Sequence, residues 1–568
     1  MKSNNKFDAI VVGSGMSGGW AAKELTAKGL KTLVLERGKD TKPGIDYVGE
    51  NKATWEMEFR DRVNPKLAKQ EYAVQSQCYA FKESTRNFFA NDNEQPYSTP
   101  NDKPFAWIRG DQVGGRSLLW ARQSYRWSDL DFTANKRDGH GTDWPIRYED
   151  VEKWYTHVEK FVGVSGSKEG LAQLPDSHFL PAIEMNCVEK HVKQRMEAKF
   201  SDRKMIIGRC AHLTKPTAEH LALGRANCQF RNQCQRGCSF GAYFSSVSAT
   251  LPAARRTGNL TLVTDTIVQS IIYDEKTKKA RGVRVVNRLT GDKQEYYARV
   301  VFLCASTFAT LQIMLNSKSD IFKNGFANNS GTLGHYVMDH HHNSGARGRY
   351  TGFKDRYYYG RRPTGIYVPR FRNLKENNDL NFIRGYGFQG RASRSSWHGA
   401  ASRPGFGEQF KNDIRTPGDW YFSLTGFGEM LPYRHNLVKL HPTKTDRWGI
   451  PQLHIDCSIF DNEVKMREDM ANTATEILLS AGLVDVQPYN DEVIPGLGIH
   501  EMGGARMGLD PKTSVLNKYN QCHDVENVFV TDGAAMASSA CQNPSLTYMA
   551  LTARAVDYAV TQFNRGAI

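Results

Sequence analysis

The stretch FDAIVVGSGMSGGWAAKELTAKGLKTLVLE, residues 7–36, decides the fold. Its apolar run Phe7–Val12 reads as a short buried strand. Gly13, Gly15 and Gly18 fit G-x-G-x-x-G, and from Gly18 to Lys28 the small and apolar residues Ala21, Ala22 and Leu25 recur at helical spacing. A second strand, Lys31–Leu35, ends at Glu36. Each glycine has a mechanical reason. Gly13 permits the tight turn, Gly15 lets the backbone approach a pyrophosphate, and Gly18 lets helix and strand pack closely. The free N–H groups at the helix start favour phosphate, and Glu36 can accept hydrogen bonds from a ribose diol. Strand, glycine turn, helix, strand and acid in this order predict a dinucleotide site.

The 568 residues can hold two or three domains with ample cores. The net charge of +15 is unusual, but Lys and Arg are spread along the chain rather than clustered. That distribution favours a solvated basic surface, or a docking face for an acidic electron-transfer partner, over a nucleic-acid stripe. No segment approaches the roughly 18 consecutive apolar residues of a membrane span. The amino terminus enters the first strand too soon to accommodate a secretory signal. Ten cysteines in a chain this long do not make a disulfide scaffold.

Beyond the opening unit, Tyr47–Pro104 reads as an irregular polar and aromatic excursion. From Leu260 to Ser306 the pattern becomes a meander of LTLVTD, IVQSIIYD, ARGVRVVN and KQEYYARVVFLCAS, with turn chemistry at Asp274–Lys279 and Leu289–Lys293. Residues 326–493 read as mostly β. The segment Val525–Ile568 reads as strand, loop and helix. Nucleotide-domain pieces at both ends of the chain imply a discontinuous domain with another inserted in it.

Three further stretches join the first. They are Ile108-Arg-Gly-Asp-Gln-Val-Gly-Gly-Arg-Ser-Leu-Leu-Trp120, His500-Glu-Met-Gly-Gly-Ala-Arg-Met-Gly508, and Val530-Thr-Asp-Gly533 followed by Gln542-Asn-Pro-Ser-Leu-Thr547. Their order and spacing resemble the glucose–methanol–choline oxidoreductase family. The resemblance implies an α/β fold, α+β overall, in which a Rossmann-like FAD-binding domain (1–160, 225–325 and 494–568) carries an inserted, mostly antiparallel β substrate-binding domain (161–224 and 326–493). It implies FAD, with Gly13, Gly15, Ser17, Gly18, Glu36 and Arg37 holding the ADP half. Gly114, Gly115, Ser117 and Trp120 would wrap the flavin, with Val268 also on the cofactor. Asp532 and Gly533 would meet the pyrophosphate or ribityl chain, and Pro544 and Thr547 would sit near the isoalloxazine.

His500 and Asn543 match the family's catalytic pair. Oxidising an alcohol removes a proton from oxygen and a hydride from carbon. A neutral imidazole can take the proton, the cofactor takes the hydride, and Asn543 can hold the substrate oxygen without competing for the proton. Glu501, next to the base, has no role legible in the sequence. Met338-Asp-His-His-His-Asn343 suggests metal by composition. Neighbouring residues of an extended chain point to opposite faces, so a flavin-contacting loop is the expectation.

Cys228, Cys234 and Cys238 have the spacing C-x5-C-x3-C in a polar loop, residues 225–245. Close thiolates suit a soft metal or an iron–sulfur cluster. A structural zinc normally has four ligands and would need a remote one such as Cys210. Plain buried thiols are the third reading. Arg225, Arg231 and Arg236 are expected to favour thiolate. The loop resembles those of family dehydrogenases that hold a 3Fe-4S cluster, including fructose dehydrogenases and glucoside 3-dehydrogenases.

The expectation is an FAD-dependent dehydrogenase that oxidises a pyranose ring hydroxyl, at carbon 3 of glucosides. Electrons would leave through the cluster to cytochrome c or another one-electron acceptor. Trp397, Trp420, Tyr421, Tyr433 and Trp448 are candidates for stacking on sugar or for the core. Alternatives are a fructose, gluconate, polyol or C1 glucose dehydrogenase, an oxygen-dependent alcohol oxidase, and a non-catalytic electron-transfer flavoprotein. Relatives imply either periplasmic co-export with a small subunit bearing a twin-arginine signal, or a cytoplasmic enzyme.

Overall fold

The structure is a computed structural model that describes residues 6–358, 364–375, 380–394, 404–492 and 494–568. The opening stretch folds as β1 (Lys6–Val12), α1 (Met16–Ala27) and β2 (Thr32–Leu35). Ala9–Val12 and all of β2 are buried, as befits parallel strands covered on both faces. A Cβ on Gly18 would stand 1.9 Å from the Gly13 carbonyl oxygen, so only glycine lets α1 lie this close to β1. Gly13 takes φ +92° and would press a Cβ to 2.5 Å from the Cys304 carbonyl oxygen. Gly15 is different: its Cβ position meets nothing nearer than 4.0 Å, which leaves room for a ligand.

The first sheet runs Leu260–Val263, β2, β1, Lys293–Leu303, Lys279–Asn287, Thr266–Asp274, with Val528–Val530 also on Lys293–Leu303. The strand bounds match the sequence reading of 260–306 closely. The pairing corrects it in one respect. Leu260–Val263 is not part of the meander but lies parallel to β2, at the other edge. The long strand Lys293–Leu303 does two jobs. Lys293–Tyr297 pairs antiparallel with Gly282–Val286, while Val301–Leu303 pairs parallel with Val528–Val530, and β1 runs along the opposite side. The chain's two distant ends thus meet on one strand.

The second sheet is antiparallel: Val484–Asn490, Ser344–Tyr350, Trp420–Gly428, Tyr386–Arg394, Ile366–Val368, Ile206–Ile207. The helix Asp461–Ser480 packs on it through Met466, Met470, Ala474 and Ile477, all buried with Phe388, Phe422 and Leu424 in one apolar cluster. A two-stranded ribbon, Leu437–Thr445 and Pro451–Asp456, lies within the 326–493 span, yet its Val438, Leu453 and Ile455 belong to the apolar cluster that holds the first sheet. Among the described residues no helix is long and apolar enough to cross a membrane.

Candidate active site

The glycine turn is fastened before any ligand is considered. Ser14 donates its backbone N–H (3.0 Å) and its hydroxyl (2.5 Å) to Glu36 Oε2, and Gly38 N–H donates to Glu36 Oε1 at 2.8 Å. Burial pushes the Glu36 carboxyl up, against these donors. Gly114 N–H donates to Ser14 Oγ, Ser117 Oγ accepts from Ser246 N–H, and Ser246 Oγ donates to the Gly15 carbonyl. The glycine turn, the Gly114–Ser117 loop and the residues before the cysteine-adjacent helix Thr250–Arg256 are therefore one unit.

A single cavity of about 690 Å³ is lined both by this unit and by His500. Gly13, Gly15, Ser17, Glu36, Arg37, Gly115, Ser117, Trp120, Val268, Asp532, Gly533, His500 and Asn543 all stand on its wall. Four of the expected cofactor residues stand elsewhere. Gly18 is spent on helix packing, and Gly114 supplies the turn at φ +90°. Pro544 caps the helix Ser545–Asn564, and Thr547 is fully buried with its hydroxyl 2.8 Å from that of Tyr155. Asp532 sits where the helix Thr307–Asn316 begins. It accepts from Thr310 Oγ1 and Ala534 N–H, and burial pushes it up to about 6.

His500 comes off a turn held by one carboxylate. Asp339 accepts from the backbone N–H groups of Gly496, Gly498 and His500 at 2.9, 3.0 and 2.9 Å. Burial pushes Asp339 up to about 7. The imidazole of His500 has Nε2 3.2 Å from Asn543 Nδ2 and Nδ1 3.0 Å from His340 Nδ1. Burial, with His340 and Arg116 adding to it, holds His500 well below the usual histidine range, so the ring is neutral and can accept a proton. Glu501, unplaced by the sequence, forms an ion pair with Arg116 at 2.7 Å, tying the His500 loop to the Gly114–Ser117 loop.

The histidine run diverges, as adjacent residues must. His340 turns to His500 and to the Ser539 carbonyl, His342 Nε2 to the Leu497 carbonyl on the cavity side, and His341 into the interior beside Gly428. The sequence missed Gln389, Gln123 and Phe427, which line the same cavity. Nothing in their local sequence marks them out.

The proposed sugar-stacking aromatics do not gather here. Trp420 is buried in the second sheet's core and Tyr421 is exposed on the other face of the same strand. Tyr433 packs on Phe460 and hydrogen-bonds Glu463. Trp448 has the guanidinium groups of Arg37 and Arg447 over its ring, 5.2 and 4.4 Å from the centroid. Trp397 falls outside the described residues.

In the cysteine loop the expected arginine effect is present but outweighed by burial: Arg231 favours the Cys234 thiolate and Arg225 acts on Cys238, yet the Cys234 thiol is still pushed up. Arg225 donates to the carbonyls of Gly241, Phe161 and Val162, Arg231 pairs with Glu50, and Arg236 pairs with Asp61. Burial, reinforced by Cys234, Cys238 and Cys210, pushes the Cys228 thiol up to about 11. Two cations act on Cys234: Arg122, from the cavity wall, and more weakly Arg231. Cys228 Sγ lies 3.6 Å from His212 Nδ1. Among the described residues no three His, Cys, Asp or Glu side chains are grouped to hold a metal ion, Cys228, Cys234 and Cys238 included.

Residues 7–341 match the amino-terminal, and residues 432–552 the carboxy-terminal, domain of GMC oxidoreductases. The chain belongs to the GMC oxidoreductase family. It is similar to 2-methyl-1,2-propanediol dehydrogenase of Mycolicibacterium austroafricanum (26% identity over 99% of this chain and 96% of the relative). It is also similar to the fructose dehydrogenase large subunit of Gluconobacter japonicus (24%; 98% and 98%). A third relative is the gluconate 2-dehydrogenase flavoprotein of Pantoea cypripedii (25%; 96% and 92%). Among solved structures, pyridoxine 4-oxidase from Mesorbium loti superposes with a TM-score of 0.60 at 15% identity, covering 98% of this chain and 99% of that one. The GMC family makes this protein a flavin-dependent oxidoreductase of CH–OH groups. FAD fits the cavity: the open face of Gly15, the Ser14–Glu36 clasp and the Gly115–Ser117 loop line it together.

Proposed function

We propose that the protein is an FAD-dependent sugar dehydrogenase that oxidises a pyranose ring hydroxyl, at carbon 3 of glucosides, to a ketone. The observation that carries the reading is the neutral His500 facing Asn543 across 3.2 Å on the wall of the cofactor cavity. The fructose and gluconate relatives support a polyhydroxylated substrate. So do the amides of Gln123 and Gln389, which give that wall polar edges.

In this reading a substrate hydroxyl inserts between His500 and Asn543. Asn543 Nδ2 donates to its oxygen and His500 Nε2 removes its proton. Such general-base work contributes about 10²–10⁴-fold. Bound FAD supplies the hydride acceptor. The Glu501–Arg116 pair holds the base's loop in register with the cofactor loop. Cys228, Cys234 and Cys238 would hold a 3Fe-4S cluster, a one-electron outlet suited to cytochrome c or a similar acceptor. The donor type and the C-x5-C-x3-C spacing support that set, although the three side chains are not grouped around one point in this structure. Iron and acid-labile sulfide analysis of anaerobically purified protein tests it: absence of both leaves the loop as plain thiols.

The substrate test is anaerobic turnover of a panel of glucosides, aldoses, fructose, gluconate and small diols with a dye acceptor, the oxidised carbon being located by NMR. A 3-keto product supports the proposal. A lactone moves the enzyme to aldose C1 chemistry. The second reading, a dehydrogenase of small branched diols, is favoured by the diol dehydrogenase relative and by the apolar wall residue Phe427. Turnover of the diol alone establishes it. Hydrogen peroxide formed in air at the dye-coupled rate would point to an oxidase.

A further inference from the structure

Six hydrogen bonds run in series through the base. Tyr125 O–H donates to Gln123 Oε1 (2.6 Å), Gln123 Nε2 to Gln389 Oε1 (3.1 Å), and Gln389 Nε2 to Asn543 Oδ1 (2.9 Å). Asn543 Nδ2 faces His500 Nε2 (3.2 Å), His500 Nδ1 faces His340 Nδ1 (3.0 Å), and His340 Nε2 faces the Ser539 carbonyl (3.1 Å). The last group decides all the others. A carbonyl only accepts, so His340 carries its proton on Nε2. Burial keeps His340 neutral, down to about 4, so its Nδ1 is a lone pair. His500 must then carry its proton on Nδ1. That leaves a lone pair on Nε2, which is what the Asn543 amide needs opposite its N–H. The orientations of Asn543, Gln389 and Gln123 follow in turn: reversing Asn543 or Gln389 sets donor against donor, and reversing Gln123 sets acceptor against acceptor at Gln389.

We propose that His340 is a positioning residue that fixes the tautomer of His500, keeping the Nε2 lone pair in the cavity and the proton on Nδ1. The inference rests on His500 being the base. In the step it serves, the substrate O–H bond breaks as the Nε2–H bond forms, and the electron pair stays on oxygen. The Nδ1–H to His340 bond strengthens as the imidazole becomes cationic. Without His340 nothing in this chain of bonds keeps the proton off Nε2, where it would block the reaction.

The test compares His340→Leu, His340→Asn and His340→Gln in the flavin-loaded enzyme, with His500→Ala as the control. Asn can place an acceptor near the position of Nδ1. Gln reaches toward Ser539 but has no acceptor at that position. The expected result is a kcat about 10- to 100-fold lower for Leu and Gln, a fraction of the general-base contribution. The Asn variant stays within about threefold of wild type on the same scale. KM and the flavin-to-protein ratio hold in all three, and the solvent isotope effect on kcat rises in Leu and Gln. Wild-type kcat in His340→Leu overturns the proposal. So does an equal loss in Asn and Gln, which would mean that His340 only fills space. If His340→Leu loses flavin, the Asn–Gln pair decides alone. Full activity in His500→Ala would instead remove the base assignment itself, and this proposal with it.

Discussion

The cavity's two working regions are made in opposite ways. The glycine-turn side is one uninterrupted stretch, Gly13–Glu36, whose chemistry is mostly backbone: a turn, a helix start and the absence of Cβ atoms. The His500 side is assembled from side chains donated by residues near 123, 340, 389, 500 and 543. Backbone chemistry written in a contiguous motif is tolerant of sequence around it but intolerant of any added atom. Side chains gathered from distant loops tolerate atoms nearby but depend on every supporting hydrogen bond. Damage to the first should cost flavin; damage to the second should cost turnover with flavin retained.

The largest effect sharpens that contrast. His500→Ala should lower kcat by about 10²–10⁴-fold with the flavin absorbance intact. Loss of flavin in that variant would break the comparison. Next is Gly18→Val on the other side. Branched atoms forced against the Gly13 carbonyl, already 1.9 Å from a Cβ position, should destabilise the protein by at least about 1–3 kcal/mol. A thermal melt and the flavin-to-protein ratio measure it, and a fully loaded protein with normal melting would refute the packing argument. Glu501→Gln lies between the two regions because it joins them. Glu501 is buried and Arg116 partly so, so the neutral variant should cost about 1–3 kcal/mol and lower both flavin retention and kcat. An effect on only one of these would place the ion pair within a single region.

The last effect is gradual. Asp339 titrates near 7 in the fold against 3.8 in an unfolded chain. Between those values the folded state holds the extra proton, so stability falls as pH rises through the window. The slope from this one group is at most about 1.4 kcal/mol per pH unit. Denaturation midpoints from pH 4 to 7 should therefore fall more steeply in the wild type than in Asp339→Asn. A wild-type curve no steeper than the variant's would mean that the three backbone donors outweigh burial at this carboxylate.

What was legible follows the same division. The strands at 266–303 and the opening unit could be read because alternation, turn residues and glycine spacing are local. The partner of Leu260–Val263 could not, because pairing with β2 is a contact across more than two hundred residues that leaves no periodicity of its own. His500 and Asn543 are picked out by their motifs, and the structure brings them together on one cavity wall. His340 reads in the sequence only as part of a loop against the flavin, since the Ser539 carbonyl that it meets lies on another segment. The aromatic residues misled for the complementary reason: Trp420 and Tyr433 carry the composition of a sugar platform, but their strand and helix neighbours had already claimed them.

The strand Lys293–Leu303 has a consequence during synthesis. Its edge at Val301–Leu303 waits for Val528–Val530, so a ribosome must add more than two hundred residues before that edge is covered. Until then a short apolar edge stands open to any passing strand. Fragments that stop before residue 525 should accumulate as aggregates rather than as a half-built flavoprotein, and chaperone demand should end only when Val528–Val530 and the carboxy-terminal helix Ser545–Asn564 have been made and packed.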